Sequence, residues 1–293
     1  MLHSHLTTLN AVSLVLSTFE AEGLSGDALL AGSGITAADL GRPDIRIATH
    51  QEMQVCANAV ALRKEIGLEL GRRMHVSSYG VLGYALLTSA TLGDALRLAL
   101  MYPALLGTLF ELRLHDDGDR VWLSASDYRD SESLAVFNAE LCLASLKVIC
   151  DDLLGKPLPL LSARFAHDAP DYTASYHESF ACPLQFNAPL YDHAFAFDKR
   201  WLEQPLPLAD PITHRDMHAR CRRQNIEFTG RQAWLERIRQ LLDELRFERA
   251  KHLLHEARLP IHRIAEELGF SETASFRHAF LRWSGVAPSH FRF

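Results

Sequence analysis

The last thirty-six residues, 258–293, constrain the fold most tightly, because they read as two short helices joined by a sharp turn. In the first helix, Ile261, Ile264 and Leu268 recur at helical spacing. Gly269 follows, at the point where a helix commonly ends in a left-handed residue. This pattern predicts a helix-turn-helix at 261–283, whose second helix can lie in the major groove of DNA.

The second helix of this pair has an apolar face and a polar face. Phe276, Phe280 and Trp283 fall at i, i+4 and i+7 and predict a buried stripe. Ser271 is predicted to cap the helix, with Glu272 in its first turn. The polar face is predicted to carry Ser275, Arg277, His278 and Arg282.

Charge is distributed unevenly along the 293 residues, a length that predicts two domains. The whole chain carries a formal net charge of -6, yet the segment from Thr213 onward has 15 basic and 10 acidic residues, a net of +5. The residues before it therefore have a net charge of -11. An acidic front with a basic tail is expected when only the tail meets phosphate.

The cysteines and the hydropathy pattern indicate a cytoplasmic protein. The five cysteines are scattered and include no CxxC pair, which fits reduced thiols. No secretory leader and no unbroken apolar run of membrane-spanning length is visible, so we expect neither export nor a membrane partner.

The front half alternates helix and strand patterns, which predicts an α+β chain: a mixed α/β N-terminal domain followed by an all-α C-terminal domain. Asp117-Gly118 between two alternating segments predicts a β-hairpin, and Thr91 with Asp94 predicts a helix start. The proline-rich segment 204–211 is interpreted as the domain linker. The remaining predicted helices are about Leu9–Leu30, Gln51–Ile66, Leu134–Leu154 and Tyr172–Phe180, and the further strands lie near residues 160–167, 184–186 and 194–197.

Two groups of side chains could form a ligand site or be purely structural. Phe110, Leu112, Leu114 and Trp122 would line one face of the hairpin, either as plain core or as an apolar ligand pocket. His214, His218 and Cys221 share a helix face with a spacing that could hold zinc, but no fourth ligand is evident. No catalytic, nucleotide or metalloprotease motif occurs, so we expect no enzyme activity, no cofactor and no metal.

The C-terminal sequence LPIHRIAEELGFSETASFRHAFLRWSGVAPSHFR resembles the second helix-turn-helix of the AraC/XylS transcriptional regulators. The front half, from LGRRMHVSSYGVLGYALLTSATLGDAL through YHESFACPLQFNAPLYDHAFAFDKRWLEQPLPLADP, is similar to the ligand-binding domain of one branch of that family. The resemblance implies a sensor domain, double-stranded DNA as a partner, and a homodimer. The implied effector is an amino acid, a fatty-acid-like molecule or another small metabolite.

The chain departs from the family pattern in two places. The family has two helix-turn-helix units joined by a helix, whereas here RQAWLERIRQLL runs straight into the linker helix DELRFERAKHLL. The first unit is therefore predicted to be missing, which leaves an uninterrupted helical pattern over 231–255. On the recognition helix, Ala274, His278 and Leu281 replace residues that the family usually has as Ser, Arg and Lys.

These observations define the predicted domains and contacts. The domains are a ligand-binding and dimerisation domain at 1–205, a linker at 206–228 and a DNA-binding domain at 229–293. Base edges are assigned to Thr273, Ser275, Arg277 and His278, and phosphates to Arg263, Arg282 and the backbone at Ser271. The alternative hypothesis is a regulator remnant, a sensor or mixed-dimer module without specific promoter binding.

Overall fold

The computed structural model describes residues 6–42, 45–129, 132–188, 192–255, 259–270 and 272–291. The chain divides into two compact units, Met1–Phe228 and Thr229–Phe293. The helices are α1 (Asn10–Glu20), α2 (Gly26–Leu30), α3 (Ala37–Leu40), α4 (Thr49–Leu62), α5 (Ile66–Arg73), α6 (Gly80–Leu87), α7 (Leu92–Met101), α8 (Pro103–Leu106), α9 (Ala135–Leu154), α10 (Thr173–Phe180), α11 (Pro211–His255), α12 (Ile261–Glu267) and α13 (Thr273–Ser284).

Strands occur in the first unit, which confirms the predicted mixed α/β front followed by an all-helical C-terminal part. They are β1 (Leu6–Thr8), β2 (Arg46–Ala48), β3 (Glu111–Asp117), β4 (Arg120–Ser126), β5 (Leu160–Arg164), β6 (Leu184–Gln185) and β7 (His193–Asp198). β1 pairs with β2, and the other five form a sheet in the order β3-β4-β7-β5-β6. All neighbours in this sheet are antiparallel except β5 and β6, which are parallel.

The N-terminal helices differ from the single helix predicted over 9–30. The segment breaks into α1 and α2, because Gly23 adopts a left-handed φ of +81° and Ser25 caps the second helix through the amide of Asp27. The next predicted helix, 51–66, likewise ends earlier, at Leu62, and α5 begins at Ile66. Apolar spacing was correct for these helices, whereas their boundaries depended on local capping.

The hairpin forms as predicted, and its register corrects one expectation. Gly118 has a φ of +66° in the two-residue turn between β3 and β4. In this register Leu114 lies opposite Leu123, while Trp122 lies opposite His115. Because side chains alternate between the two faces of a strand, Trp122 lies on the other face from Leu112 and Leu114.

The core of the first unit is centred on α9, which packs closely against α5. A Cβ added at Gly71 would lie 2.5 Å from the Cβ of Ala144, so only glycine allows this approach. Gly155 ends α9 with a left-handed φ of +64°, directly after the predicted helix boundary at Leu154. The stretch Glu132–Leu154 has the length and hydropathy of a membrane-spanning helix, yet 67% of its apolar window is buried inside the fold. Packing in the domain core accounts for this composition.

The segment after the sheet is fastened to the first unit. Thr91 caps α7 by accepting from the Asp94 amide at 3.2 Å, as predicted. The Leu92 amide donates to the Gln204 carbonyl at 3.1 Å, and the Asp210 amide donates to the Thr88 carbonyl at 3.1 Å. Leu206 is buried between these bonds. The predicted 206–228 linker therefore begins as an anchored segment and continues into α11, and its role as a linker stays a prediction.

Candidate nucleic-acid interface

The second unit is a small three-helix arrangement with an aromatic core. The end of α11 packs against α12 and α13 around Phe276 and Phe280, both with no exposed surface. Trp283 packs at the edge of this core, so the predicted stripe is buried on the expected side. The other buried members of the core are Ala250, Leu253, Leu254, Ile264, Ala265 and Leu268.

The turn between α12 and α13 is fixed by backbone hydrogen bonds. Gly269 has a φ of +77°, and its amide donates to the Glu266 carbonyl at 3.0 Å. The Phe270 amide donates to the Ala265 carbonyl at 2.9 Å. These two bonds form a Schellman motif, which satisfies the last carbonyls of α12. The prediction that Gly269 ends the first helix is confirmed, and the turn sets the direction of α13.

The start of α13 differs from the prediction. The first helical residue is Thr273, and Glu272 occupies the N-cap position with extended backbone (φ -137°, ψ 141°) and no side-chain capping bond. Glu272 is therefore not in the first turn. Ser271, which was predicted as the cap and as a phosphate contact, lies outside the described residues.

Three of the four predicted base-reading residues are exposed on α13. These are Ser275, Arg277 and His278, whereas Thr273 is half-buried at the beginning of the helix. None of the three exposed residues belongs to the core around Phe276, so a polar ligand can reach them without disturbing the fold. The assignment of these four residues to base edges stays a prediction.

The two predicted phosphate contacts on this unit already have acidic partners. Arg282 donates to Asp243 at 2.8 Å, and Arg263 donates to Glu266 at 2.8 Å. Both pairs are at least one-third exposed, so each contributes at most about 1 kcal/mol and can open at little cost. Asp243 was not singled out from the sequence, because it lies 39 residues before Arg282.

A groove that sequence reasoning missed runs beside the reading residues. It has a volume of about 330 Å³ and is lined by Ile261, Ala274, Arg277, His278, Leu281, Ala287, Pro288 and Ser289. Leu281, which is 48% exposed, forms part of its wall. The short distance from Leu281 to Pro288 along the chain was the available signal, since Gly285 turns the chain back after α13.

In the first unit, a buried carboxyl group lies within a network of polar aromatic residues. Tyr172 and Tyr176 both donate to Oε1 of Glu140, at 2.9 Å and 2.5 Å. Burial raises the pKa of Glu140 to about 7, against the opposing effect of these hydrogen bonds. Oε2 has no hydrogen-bond partner among the described residues. Sequence reasoning missed this group, although an acid in the apolar helix α9 was a visible signal.

The hairpin residues and the histidine cluster behave as structural groups. Phe110 is buried against Tyr128 and the ring of His193, so it belongs to the core. His218 shares a hydrogen bond of 3.0 Å with the Tyr102 hydroxyl, and Cys221 is buried. His214 similarly bonds the carbonyl of Ala85 at 3.1 Å. Across the part of the chain that the structure describes, no three potential ligands cluster around a metal position.

Comparison with known proteins identifies both parts of the chain. The family described as "Arabinose-binding domain of AraC transcription regulator, N-term" matches residues 23–206, and a family described as "Helix-turn-helix domain" matches residues 231–293. The ornithine utilization regulator of Pseudomonas aeruginosa is 30% identical over 92% of this chain and 91% of that protein. The transcriptional regulator VqsM of the same species is 28% identical over 77% of this chain and 83% of its own length.

A solved structure is also similar in sequence. The crystal structure of the transcriptional regulator CdpR from Pseudomonas aeruginosa is 26% identical, covers 77% of this chain and 85% of that chain, and has a TM-score of 0.43.

The alignment lengths agree with a missing segment. The alignment with the ornithine utilization regulator has 311 positions but covers 92% of 293 residues, so roughly 40 positions are gaps in this chain. Where the first helix-turn-helix was expected, the described structure has the continuous helix α11, and one helix-turn-helix follows it. The chain therefore belongs to the AraC family of transcription regulators, with an N-terminal ligand-binding domain and a C-terminal helix-turn-helix that binds DNA.

Proposed function

We propose that this regulator reads DNA with the outward face of α13 alone. The observation that carries the proposal is the exposure of Ser275, Arg277 and His278 on a helix whose direction is fixed by the Gly269 turn. Arg277 suits a guanine edge, because its guanidinium can donate two parallel hydrogen bonds. Thr273 would join at the beginning of the helix. Arg263, Arg282 and the backbone at Ser271 would hold phosphates and set the register.

One reading helix offers few base contacts, so the proposed regulator acts as a homodimer. A good bidentate contact contributes about 1–3 kcal/mol of discrimination. Specific regulators reach dissociation constants of about 10⁻⁸ to 10⁻¹¹ M, which three or four contacts on one helix do not supply. Two copies binding half-sites about 34 Å apart would add their contacts.

Selection from a pool of random duplexes with the purified full-length chain tests DNA reading. We expect a defined motif, and binding that weakens steeply as salt increases. Arg277→Ala should reduce affinity for the selected duplex by about 10-fold or more and relax the preference at one base pair. Arg222→Ala, an exposed arginine in the first unit, is the matched control. Equal binding of all duplexes by the wild-type chain would contradict the proposal.

The second candidate is a regulator remnant that forms mixed dimers with relatives and does not recognise a promoter itself. The continuous helix α11, at the place where the family has its first helix-turn-helix, favours this second candidate. In this case the purified chain would select no motif, but it would reduce the operator binding of a two-unit relative when the two are mixed. Protection of a defined operator at physiological salt by the purified chain would exclude it.

For the effector, we favour the amino-acid class over fatty-acid-like molecules and other small metabolites. A surface groove of about 530 Å³ in the first unit is lined by charges of both signs, Lys64, Glu65 and Asp171, which suit a zwitterion. Its wall includes Tyr172, which connects it to Glu140. The relative with 30% identity is named as an ornithine utilization regulator. An amino acid should raise the melting temperature of the first unit. At a ligand concentration of 100 times its Kd, binding to the native state increases the free energy of unfolding by about 2.7 kcal/mol.

A metabolite panel with matched variants tests this assignment. Lys64→Ala and Asp171→Ala should each reduce the stabilisation by an amino acid, whereas Lys156→Ala, another lysine of the first unit outside this groove, should leave it unchanged. Stabilisation by fatty acids and not by amino acids would contradict the assignment. The free thiols of all five cysteines support a cytoplasmic location for this regulator, and its relatives give no reason to assign it an enzymatic reaction.

A further inference from the structure

Helix α11 has two faces in the second unit, and one of them carries an apolar stripe without a cover in that unit. Trp234, Leu241 and Leu245 are 65%, 44% and 67% exposed, and Ile238 is half-buried among them. They follow each other at intervals of four, three and four residues. This spacing is the a/d pattern of a coiled-coil seam.

The opposite face of the same helix is the one that holds the DNA-binding unit. Ala250 and Leu254 lie in its core, and Asp243 forms the ion pair with Arg282. At about 100° per residue, these positions are roughly half a turn away from the stripe. The stripe residues therefore do not contribute to the core of the second unit.

The exposed apolar area of the stripe is that of a small interface. With about 150–250 Å² for each large apolar side chain, the exposed parts of Trp234, Leu241, Leu245 and the neighbouring Leu242 sum to roughly 450 Å². A patch of this size is within the range of about 300–600 Å² for the largest apolar patch of a typical monomer, which is often functional. Two copies facing each other would bury at most about 900 Å², which is below the roughly 1,000 Å² of a stable specific interface and in the range of a weak one.

The charges beside the stripe match a second copy in the antiparallel direction. When Trp234 lies opposite Leu245 of the other copy, and Ile238 opposite Leu241, a two-fold axis passes between 239 and 240. The flanking residues Arg237 and Glu244 then face each other twice across the interface. A parallel pair places Arg237 beside Leu242 instead, and this charge match is lost.

We propose that α11 pairs with α11 of a second copy of this chain in an antiparallel two-stranded contact through Trp234, Ile238, Leu241 and Leu245. The contact is isologous, so each residue is used once by each copy. This proposal rests on the proposed homodimer, because it assigns the surface through which the two copies meet. The homodimer does not require this contact, since another part of the chain could form it.

Disulfide trapping of the full-length chain tests the pairing and its direction. Trp234→Cys and Leu245→Cys proteins should form a covalent dimer when mixed under mild oxidation. Each variant by itself should cross-link no more than the wild type, because in the antiparallel pair position 245 of one copy is about 16 Å along the axis from position 245 of the other. The native cysteines give a low background, since four are buried and Cys142 is half-buried. Leu281→Cys, with a similar exposure to Leu241, is the matched control for random collision.

The outcomes separate this contact from the homodimer in general. Cross-linking of each single variant with itself would indicate a parallel pair and overturn the proposal, as would a mixture that cross-links no better than Leu281→Cys. If the mixture cross-links no better than Leu281→Cys but sedimentation still shows a dimer, the homodimer is supported and this surface is excluded.

Charge reversal in the same trapping mixture tests the geometry and leaves the central stripe residues Ile238 and Leu241 unchanged. When both cysteine variants also carry Glu244→Arg or Arg237→Glu, like charges face each other twice, and we expect the yield of covalent dimer to fall about fivefold. The double reversal restores opposite charges and should restore the yield. Failure of the double reversal to restore it would overturn the antiparallel pairing, because a merely structural effect of the two changes would accumulate.

Discussion

The two units of this regulator bury different chemistry, and this difference predicts how each one fails. The first unit encloses ionisable groups, with Glu140 and His193 inside a large mixed core. The second unit has a small core, and no buried polar or charged side chain lies among its described residues. Ionisable groups make stability depend on pH, whereas a small aromatic core makes it depend on each ring. The first unit should therefore respond to the solvent and the second to single substitutions.

The largest contrast is expected from removing one buried ring. Phe276→Ala should cost about 3–5 kcal/mol, which is close to the total stability of a 65-residue unit. The second unit should unfold while the first remains folded, because the first has its own core. Hydrogen exchange of the full-length chain will show loss of protection confined to 229–293. Phe180→Ala, the same deletion in the first unit, should only destabilise the larger core, and its complete unfolding would break the contrast.

The pH dependence of the first unit is the next largest effect. Because the pKa of Glu140 is raised from its usual 4.5 to about 7, the folded protein holds a proton that the unfolded chain releases between these values. Stability is therefore present below about pH 4.5 and is lost as pH rises through about 7. Glu140→Gln should remove this loss, a difference on the order of 3 kcal/mol at pH 8.

His193 acts in the opposite direction and provides a control. Burial lowers its pKa to about 4, so its contribution to stability is present above its ordinary pKa and is lost as pH falls through about 4. Thermal melts of Glu140→Gln from pH 4 to 8 should thus change at the upper end and keep the acid limb. A melt of the second unit that changed with pH in the same way would show that the contrast between the cores is wrong.

A smaller effect is expected at the turn between α12 and α13. Gly269→Ala forces a side chain into the left-handed φ of +77° and should cost about 1–2 kcal/mol. The open space around the position, where the nearest atom is the end of Arg246 at 3.8 Å, removes steric clash as an alternative cause. The melting temperature of the second unit should fall and that of the first should not. Gly118→Ala in the hairpin, with a φ of +66°, is the equivalent change in the first unit.

The smallest stability effect belongs to the ion pair between Arg282 and Asp243. Asp243→Asn should change stability by less than about 1 kcal/mol, because the pair is half-exposed. It also releases Arg282 for phosphate, so DNA affinity should rise and its salt dependence should become steeper. Glu266→Gln, beside Arg263, is the matched change on α12. If affinity falls in both variants, the two arginines are structural and not phosphate contacts.

The sequence predicted the parts of the molecule that are determined within a few residues. The Gly269 turn, the Thr91 cap and the Phe276 stripe each depend on local spacing, and all three are found. The break at Gly23 and the N-cap at Glu272 are also local, but they were missed because several neighbouring residues could end or begin a helix there. Glu140 in α9 is bonded by tyrosines that follow it by 32 and 36 positions, and Arg282 pairs with an aspartate 39 positions before it. Sequence spacing within a helix or strand cannot predict contacts between residues so far apart in the chain.

The raised pKa of Glu140 has a consequence for calorimetry. Near neutral pH this carboxyl is partly protonated, and any ligand that changes its solvation or its bonds to Tyr172 and Tyr176 changes its proton occupancy. Binding would then take up or release a fraction of a proton, and the buffer would supply the balancing heat. Titrations of one effector in phosphate and in Tris should give different enthalpies with the same affinity. The sign of that difference would report whether the bound effector leaves Glu140 more charged or less charged.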